Sequence, residues 1–118
     1  MTKIQVIINA LEDINAFDIL VYDMKEISPF FDYFVISSAS SDRQLQAAIT
    51  HISNDLSKEG FEHPKFEGKD SNSWILVDAN NVIVNVFTKE EREYYNLEKM
   101  LAGIETIDIE KLKWYTIN

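Results

Sequence analysis

Apolar positions along the chain fall into segments with two different periods. Ile4, Ile7, Ile8 and Leu11 recur at i, i+3, i+4 and i+7, which predicts a helix over residues 2–13. Thr2 followed by Gln5 supplies a capping-box start. Residues 19–22 then read as a strand with Ile19 and Val21 on one face and Leu20 and Tyr22 on the other, so both faces are expected to be covered. Pro29 marks a turn before a second strand at 31–37, rich in aromatic and β-branched residues. The clearest helix follows. Ser41 and Gln44 open it, Leu45, Ala48, Ile49, Ile52 and Leu56 form its buried stripe, and Gly60 stands at its C-terminal cap.

The second half is predicted to add strands and a third helix. Residues 61–66 read as a weak strand interrupted by Pro64, and a proline that cannot donate to a ladder belongs at a sheet edge. After a polar loop at 68–73, the runs 74–78 and 82–87 are joined by Ala79-Asn80-Asn81, a hairpin signal because Asn tolerates positive φ. Val82, Val84 and Val86 share one face, and Ile83, Asn85 and Phe87 the other. Thr88 with Glu91 opens a helical segment carrying Arg92, Tyr94, Tyr95, Leu97, Glu98 and Leu101, ended by Gly103. Residues 104–118 alternate only loosely, and strand, helix and partner-dependent segment all stay open for them. The order of elements predicts an α/β fold, a mixed β-sheet flanked by helices. One domain is expected over 1–103, with 104–118 as a C-terminal extension of unknown role.

Charge and composition narrow the classes of function. The 118 residues carry a net charge of −9, and acidic balance disfavours a protein whose main task is gripping bare nucleic acid. With no cysteine, disulfides and thiolate chemistry are excluded. No apolar run approaches the roughly 18–20 residues of a membrane span, and the N-terminus lacks a signal-peptide core, so a cytoplasmic protein without membrane contact is expected.

Catalytic constellations are sparse. His51, beside the buried stripe of the second helix, reads as a partly exposed helix residue, and His63 lies next to Pro64 outside any motif. Gly60, Gly68 and Gly103 are too far apart to form a phosphate cradle. Asp108 and Glu110 resemble a solvated edge more than a metal site. Asp18, Asp23, Asp32 and Asp78 lie near strand ends, where a cluster could form. The second half instead concentrates Trp74, Phe87, Arg92, Tyr94, Tyr95 and Leu97, the residue types of protein–protein hot spots. Phe87 and Leu97 read as core, whereas Trp74 and Tyr95 are open between core and docking surface. Arg92 and Glu98 call for partners, either each other or a bound protein.

Several motifs, taken together, resemble the ribosomal silencing factor family, also called RsfS or Iojap-like. Asp32-Tyr33-Phe34-Val35-Ile36 is similar to its D-Y-F-V-I strand and Ser41-Asp42-Arg43-Gln44 to its S-x-R-Q helix start. Glu67-Gly68 stands where the family has E-G before its tryptophan. Trp74-Ile75-Leu76-Val77-Asp78, Val84-Asn85-Val86-Phe87 and Arg92-Glu93-Tyr94-Tyr95-Asn96-Leu97-Glu98 complete the pattern. The resemblance covers about residues 4–102 and departs in three places. Asn85 replaces the histidine of a V-H-V-F strand, Ala39-Ser40 replaces a glycine-containing approach to the second helix, and the family's L-E-x-L-W ends here at Leu101 without its tryptophan. Asn cannot serve as a general base, which weakens any catalytic reading.

The resemblance implies a nucleotidyltransferase-like fold that is catalytically degenerate, with no cofactor and no metal. It implies binding to the large ribosomal subunit through its fourteenth ribosomal protein, a steric block to small-subunit joining, and a homodimer when free. No direct sequence-specific contact with nucleic acid is expected. An acidic factor suits a basic ribosomal protein. The docking surface is expected to involve Trp74, Asp78, Asn85, Arg92, Tyr95 and Glu98, with Trp74 and Tyr95 as anchors and the charged residues setting register. The alternative is a nucleotidyltransferase-like enzyme using Asp18, Asp23, Asp32 or Asp78 with a metal ion. A third reading is a dimeric adaptor with another partner.

Overall fold

Capping chemistry sets the first helix. Thr2 accepts a hydrogen bond from the Gln5 amide while the Gln5 side chain accepts from the Thr2 amide, and α1 runs Lys3–Asp13. The computed structural model describes residues 1–69 and 72–113. After α1 come β1 (Phe17–Asp23), β2 (Tyr33–Ala39), α2 (Asp42–Lys58), β3 (Lys65–Glu67), β4 (Trp74–Asp78) and β5 (Val82–Thr88). Two short helices, α3 (Lys89–Tyr95) and α4 (Leu97–Met100), precede β6 (Thr106–Ile107) and a 3₁₀ turn at Ile109–Lys111.

The strands form one mixed sheet in the order β3-β4-β5-β2-β1-β6. Among the described residues, β2 and β5 run parallel, from Tyr33 opposite Val82 to Ala39 opposite Thr88, and the other neighbours are antiparallel. The fold is therefore the mixed α/β class read from the pattern. Pro64 directly precedes β3, which lies at the sheet edge as its missing donor requires.

One face of the sheet is covered by α1 and α2. Ile7, Ile8 and Leu11 meet Leu45, Ile52 and Leu56 over Val21, Val35, Ile75, Val77, Val84 and Val86, all fully buried. On the opposite face Tyr22, Met24, Ile36 and Phe87 are buried beneath Leu97, Leu101 and Ile104. That second cover is smaller, so Trp74 and Leu76 stay only half-buried.

The structure adds to the sequence reading at three places. The helical segment after Thr88 is not continuous: Asn96 adopts φ 48°, ψ 55°, ends α3 and turns the chain into α4. Asn visits the left-handed region more readily than most residues, which allows the elbow. β1 begins two residues early and carries an irregularity between Phe17 and Leu20, where Asp18 has φ 50°. The start of the tail joins the sheet, with Ile107 opposite Val21 and Thr106 opposite Tyr22. Lys113 fixes it to α1 through Glu12 at 2.7 Å and pairs within the tail with Glu110 at 2.8 Å. Trp114 and Ile117 lie outside the described residues.

Candidate functional site

The half-open face is organised around Asn85. Alternation along β5 sends Val84 and Val86 to the helices and Asn85 and Phe87 to the other side. Pairing with β4 puts Trp74 opposite Phe87 and Leu76 opposite Asn85. The indole Nε1 of Trp74 donates to Asn85 Oδ1 at 3.1 Å, and Asn85 Nδ2 donates to the Val35 carbonyl at 3.3 Å. Asn85 itself is only 1% exposed. It lies beneath the surface rather than on it, and its amide orients the indole.

Aromatic rings extend outward from this anchor. Trp74 stacks on Phe87 with centroids 4.7 Å apart and meets Tyr95 at 4.8 Å. Tyr94 stands edge-on to Tyr95 at 5.1 Å. Exposure rises along the series, from buried Phe87 through half-buried Trp74 to Tyr95 at 46% and Tyr94 at 78%. A shallow cleft of about 210 Å³ lined by Glu67, Gly68, Trp74 and Leu76 adjoins the indole. Gly68 has φ 80°, and a Cβ there would stand 2.5 Å from the Trp74 carbonyl oxygen, so a side chain would displace the strand that carries the indole.

Arg92 locks the α3–α4 elbow onto the sheet. Its Nε donates to Glu98 Oε1 at 3.1 Å, and its Nη1 donates to the Asp18 carbonyl at 2.7 Å and to Ser38 Oγ at 2.8 Å. The Arg92 side chain is 10% exposed, so its fork is committed to intramolecular partners. Glu98 is also near Tyr22. Burial first, and then the negative charge of Glu98, raise the Tyr22 pKa above that of an ordinary phenol. Ser73 donates to Glu91 at 2.7 Å, joining α3 to the start of β4.

Of the six residues singled out in the sequence, Trp74, Asn85 and Tyr95 come together, and Arg92 pairs with Glu98 beside them. Asp78 stands apart, four residues along β4 from Trp74 and about 13 Å away. Its carboxylate accepts from the Asn80 amide at 2.9 Å and shapes the hairpin turn, where Asn80 has φ 69°. Ser38 and the Asp18 carbonyl were missed: neither belongs to a recognisable motif, and only the pairing of β1 with β2 brings them to Arg92.

The aspartates of the enzymatic alternative do not all converge: Asp23 and Asp32 both lie near Lys25. Asp18 and Asp23 lie at opposite ends of β1, Asp32 accepts from Asn81 Nδ2 at 3.1 Å, and Asp78 serves its turn. Asp108 accepts from the Glu110 amide at 3.0 Å, capping the 3₁₀ turn. Among the described residues, the side chains close enough to share a metal ion are Asp13, His51 and Asp55.

Comparison with known proteins places this arrangement. The family model for the ribosomal silencing factor during starvation matches residues 1–116. The ribosomal silencing factor RsfS of Bacillus subtilis is 43% identical over 101 residues, 86% of each chain. A crystal structure of a Chromobacterium violaceum protein superposes with a TM-score of 0.80 at 31% identity, covering 87% of this chain and 86% of that one. One from Bacillus halodurans gives 0.78 at 35% identity, covering 89% and 95%.

Proposed function

The chain belongs to the ribosomal silencing factor family, and from that premise we propose that it represses translation as a binding protein rather than as an enzyme. It docks on the large ribosomal subunit through the fourteenth ribosomal protein and occupies the surface that the small subunit needs, so joining fails for steric reasons. It works in the cytoplasm, needs no cofactor and is a homodimer when free.

One observation carries this reading: a graded aromatic face, Trp74, Tyr95 and Tyr94, stands half-open on a rigid sheet. Aromatic anchors at the centre of an interface supply most of its binding energy. Their orientation is fixed before contact by Asn85 beneath and by Arg92 at the elbow, so little entropy is lost on docking. The net charge of −9 steers the protein toward a basic ribosomal protein and away from exposed RNA phosphates. Arg92 and Glu98 serve this surface indirectly, and Asp78 contributes through the hairpin it shapes.

Sucrose-gradient sedimentation tests the reading. Purified large subunits are incubated with the chain, small subunits are added, and joined ribosomes are quantified. Co-sedimentation with the large subunit and fewer joined ribosomes is the expected result. Undiminished joining at saturating protein would refute the steric block.

A further inference from the structure

A second cluster lies on the helical side of the sheet, away from the aromatic face. His51 and Asp55 are four residues apart on α2, so both rise from one side of that helix. Asp13 is the last residue of α1, the helix packed against α2. The ligand atoms of the three side chains all lie within 4.8 Å of one another. Among the described residues none of the three side chains makes a hydrogen bond or an ion pair.

The local electrostatics favour a cation there. Two carboxylates face each other without a counter-charge, and Asp13 sits at the negative end of the α1 dipole, whose last turn holds no basic residue. Its neighbour Glu12 is neutralised by Lys113 at 2.7 Å, whereas Asp13 is not. Lys58 lines the adjoining cleft without an ion pair to Asp13 or Asp55. That cleft, about 480 Å³, also borders Asn9 and leaves room for the waters of a partly hydrated ion.

We propose that Asp13, His51 and Asp55 form a binding site for a divalent transition-metal ion of the zinc class. One imidazole nitrogen and two carboxylate oxygens supply three ligands, and water completes the shell. The imidazole selects against magnesium and calcium, which take oxygen ligands. Bound metal ties the C-terminal end of α1 to the middle of α2 and removes the carboxylate repulsion. The role is structural or regulatory, on the side of the sheet opposite Trp74.

Isothermal titration of the full chain with zinc chloride, in a background of excess magnesium to suppress diffuse binding to the acidic surface, tests the site. The expected result is one saturable equivalent in the wild type and in His63→Gln, with at least about tenfold weaker binding in His51→Gln and in Asp13→Asn. His51 and Asp13 are exposed, so neither change disturbs the core, and circular dichroism verifies the fold. Absence of a saturable site at millimolar zinc would overturn the proposal. So would wild-type affinity in His51→Gln, or equal loss in His63→Gln.

Discussion

Replacing Asn85 by Asp tests the buried anchor in a way that pH can switch. The two side chains have nearly the same shape, so the position beside Ile36 in the strand register is filled as before. Asn85 accepts from the Trp74 indole at 3.1 Å and donates to the Val35 carbonyl at 3.3 Å. A protonated carboxyl can do both. An ionised carboxylate keeps the first bond, loses the second, and places a charge at a position only 1% exposed. Losing a donor to a buried carbonyl costs about 1 kcal/mol, and a buried charge without a cationic partner adds more, for a total of about 3 kcal/mol. The variant's folded-state carboxyl pKa therefore rises above its unfolded value. Stability relative to wild type is retained at low pH and lost as pH rises through the folded-state pKa. Urea unfolding followed by circular dichroism at pH 5 and pH 8 measures this. The difference from wild type should grow by about 1.4 kcal/mol for each unit of pKa shift spanned. A penalty that is the same at both pH values, or larger at pH 5, would refute the role assigned to the Asn85 amide.

Other residues give equally direct expectations. Arg92→Lys keeps the charge but loses the fork that reaches Glu98, Ser38 and the Asp18 carbonyl together, so thermal unfolding should show a loss of about 1–3 kcal/mol. Gly68→Ala should destabilise by more than Gly60→Ala in parallel urea titrations. Both glycines have φ 80°, but only at Gly68 does a Cβ meet backbone, 2.5 Å from the Trp74 oxygen. Tyr22 has a raised pKa, so the folded state resists ionisation and stability falls as pH rises through and beyond the ordinary phenol value near 10. Tyr22→Phe should show a shallower alkaline loss than wild type, and an equally steep loss would exclude Tyr22 as its source.

Much of the fold was legible because its signals are local and mutually consistent. The α1 and α2 stripes, the caps at Thr2, Ser41 and Thr88, and the alternation of Val82, Val84 and Val86 each follow from a short stretch of chain. The break at Asn96 was hidden because Asn is tolerated inside a helical pattern, and its left-handed φ of 48° leaves no periodic mark in the sequence. β6 was ambiguous because two residues give no period. For the site, residue type marked Trp74 and Tyr95, but burial decides what each residue does. Asn85 looks like a surface recognition group in the sequence, and its place on a central strand turns it inward, whereas Arg92 takes the first of its two expected partners, Glu98. Asp78 enters the list as the charged end of the family-like Trp74–Asp78 motif, and the extended strand carries it far from Trp74.

On this proposal the aromatic face docks on a ribosomal protein. The most direct test is the affinity of this chain for the purified fourteenth protein of the large subunit, measured by calorimetry for wild type and for Trp74→Ala with native circular dichroism. Saturable binding that weakens by about 2 kcal/mol or more in the variant, roughly 30-fold, is the predicted result. Equal affinity in the two chains, or no binding by the wild type, would rule out docking through this face.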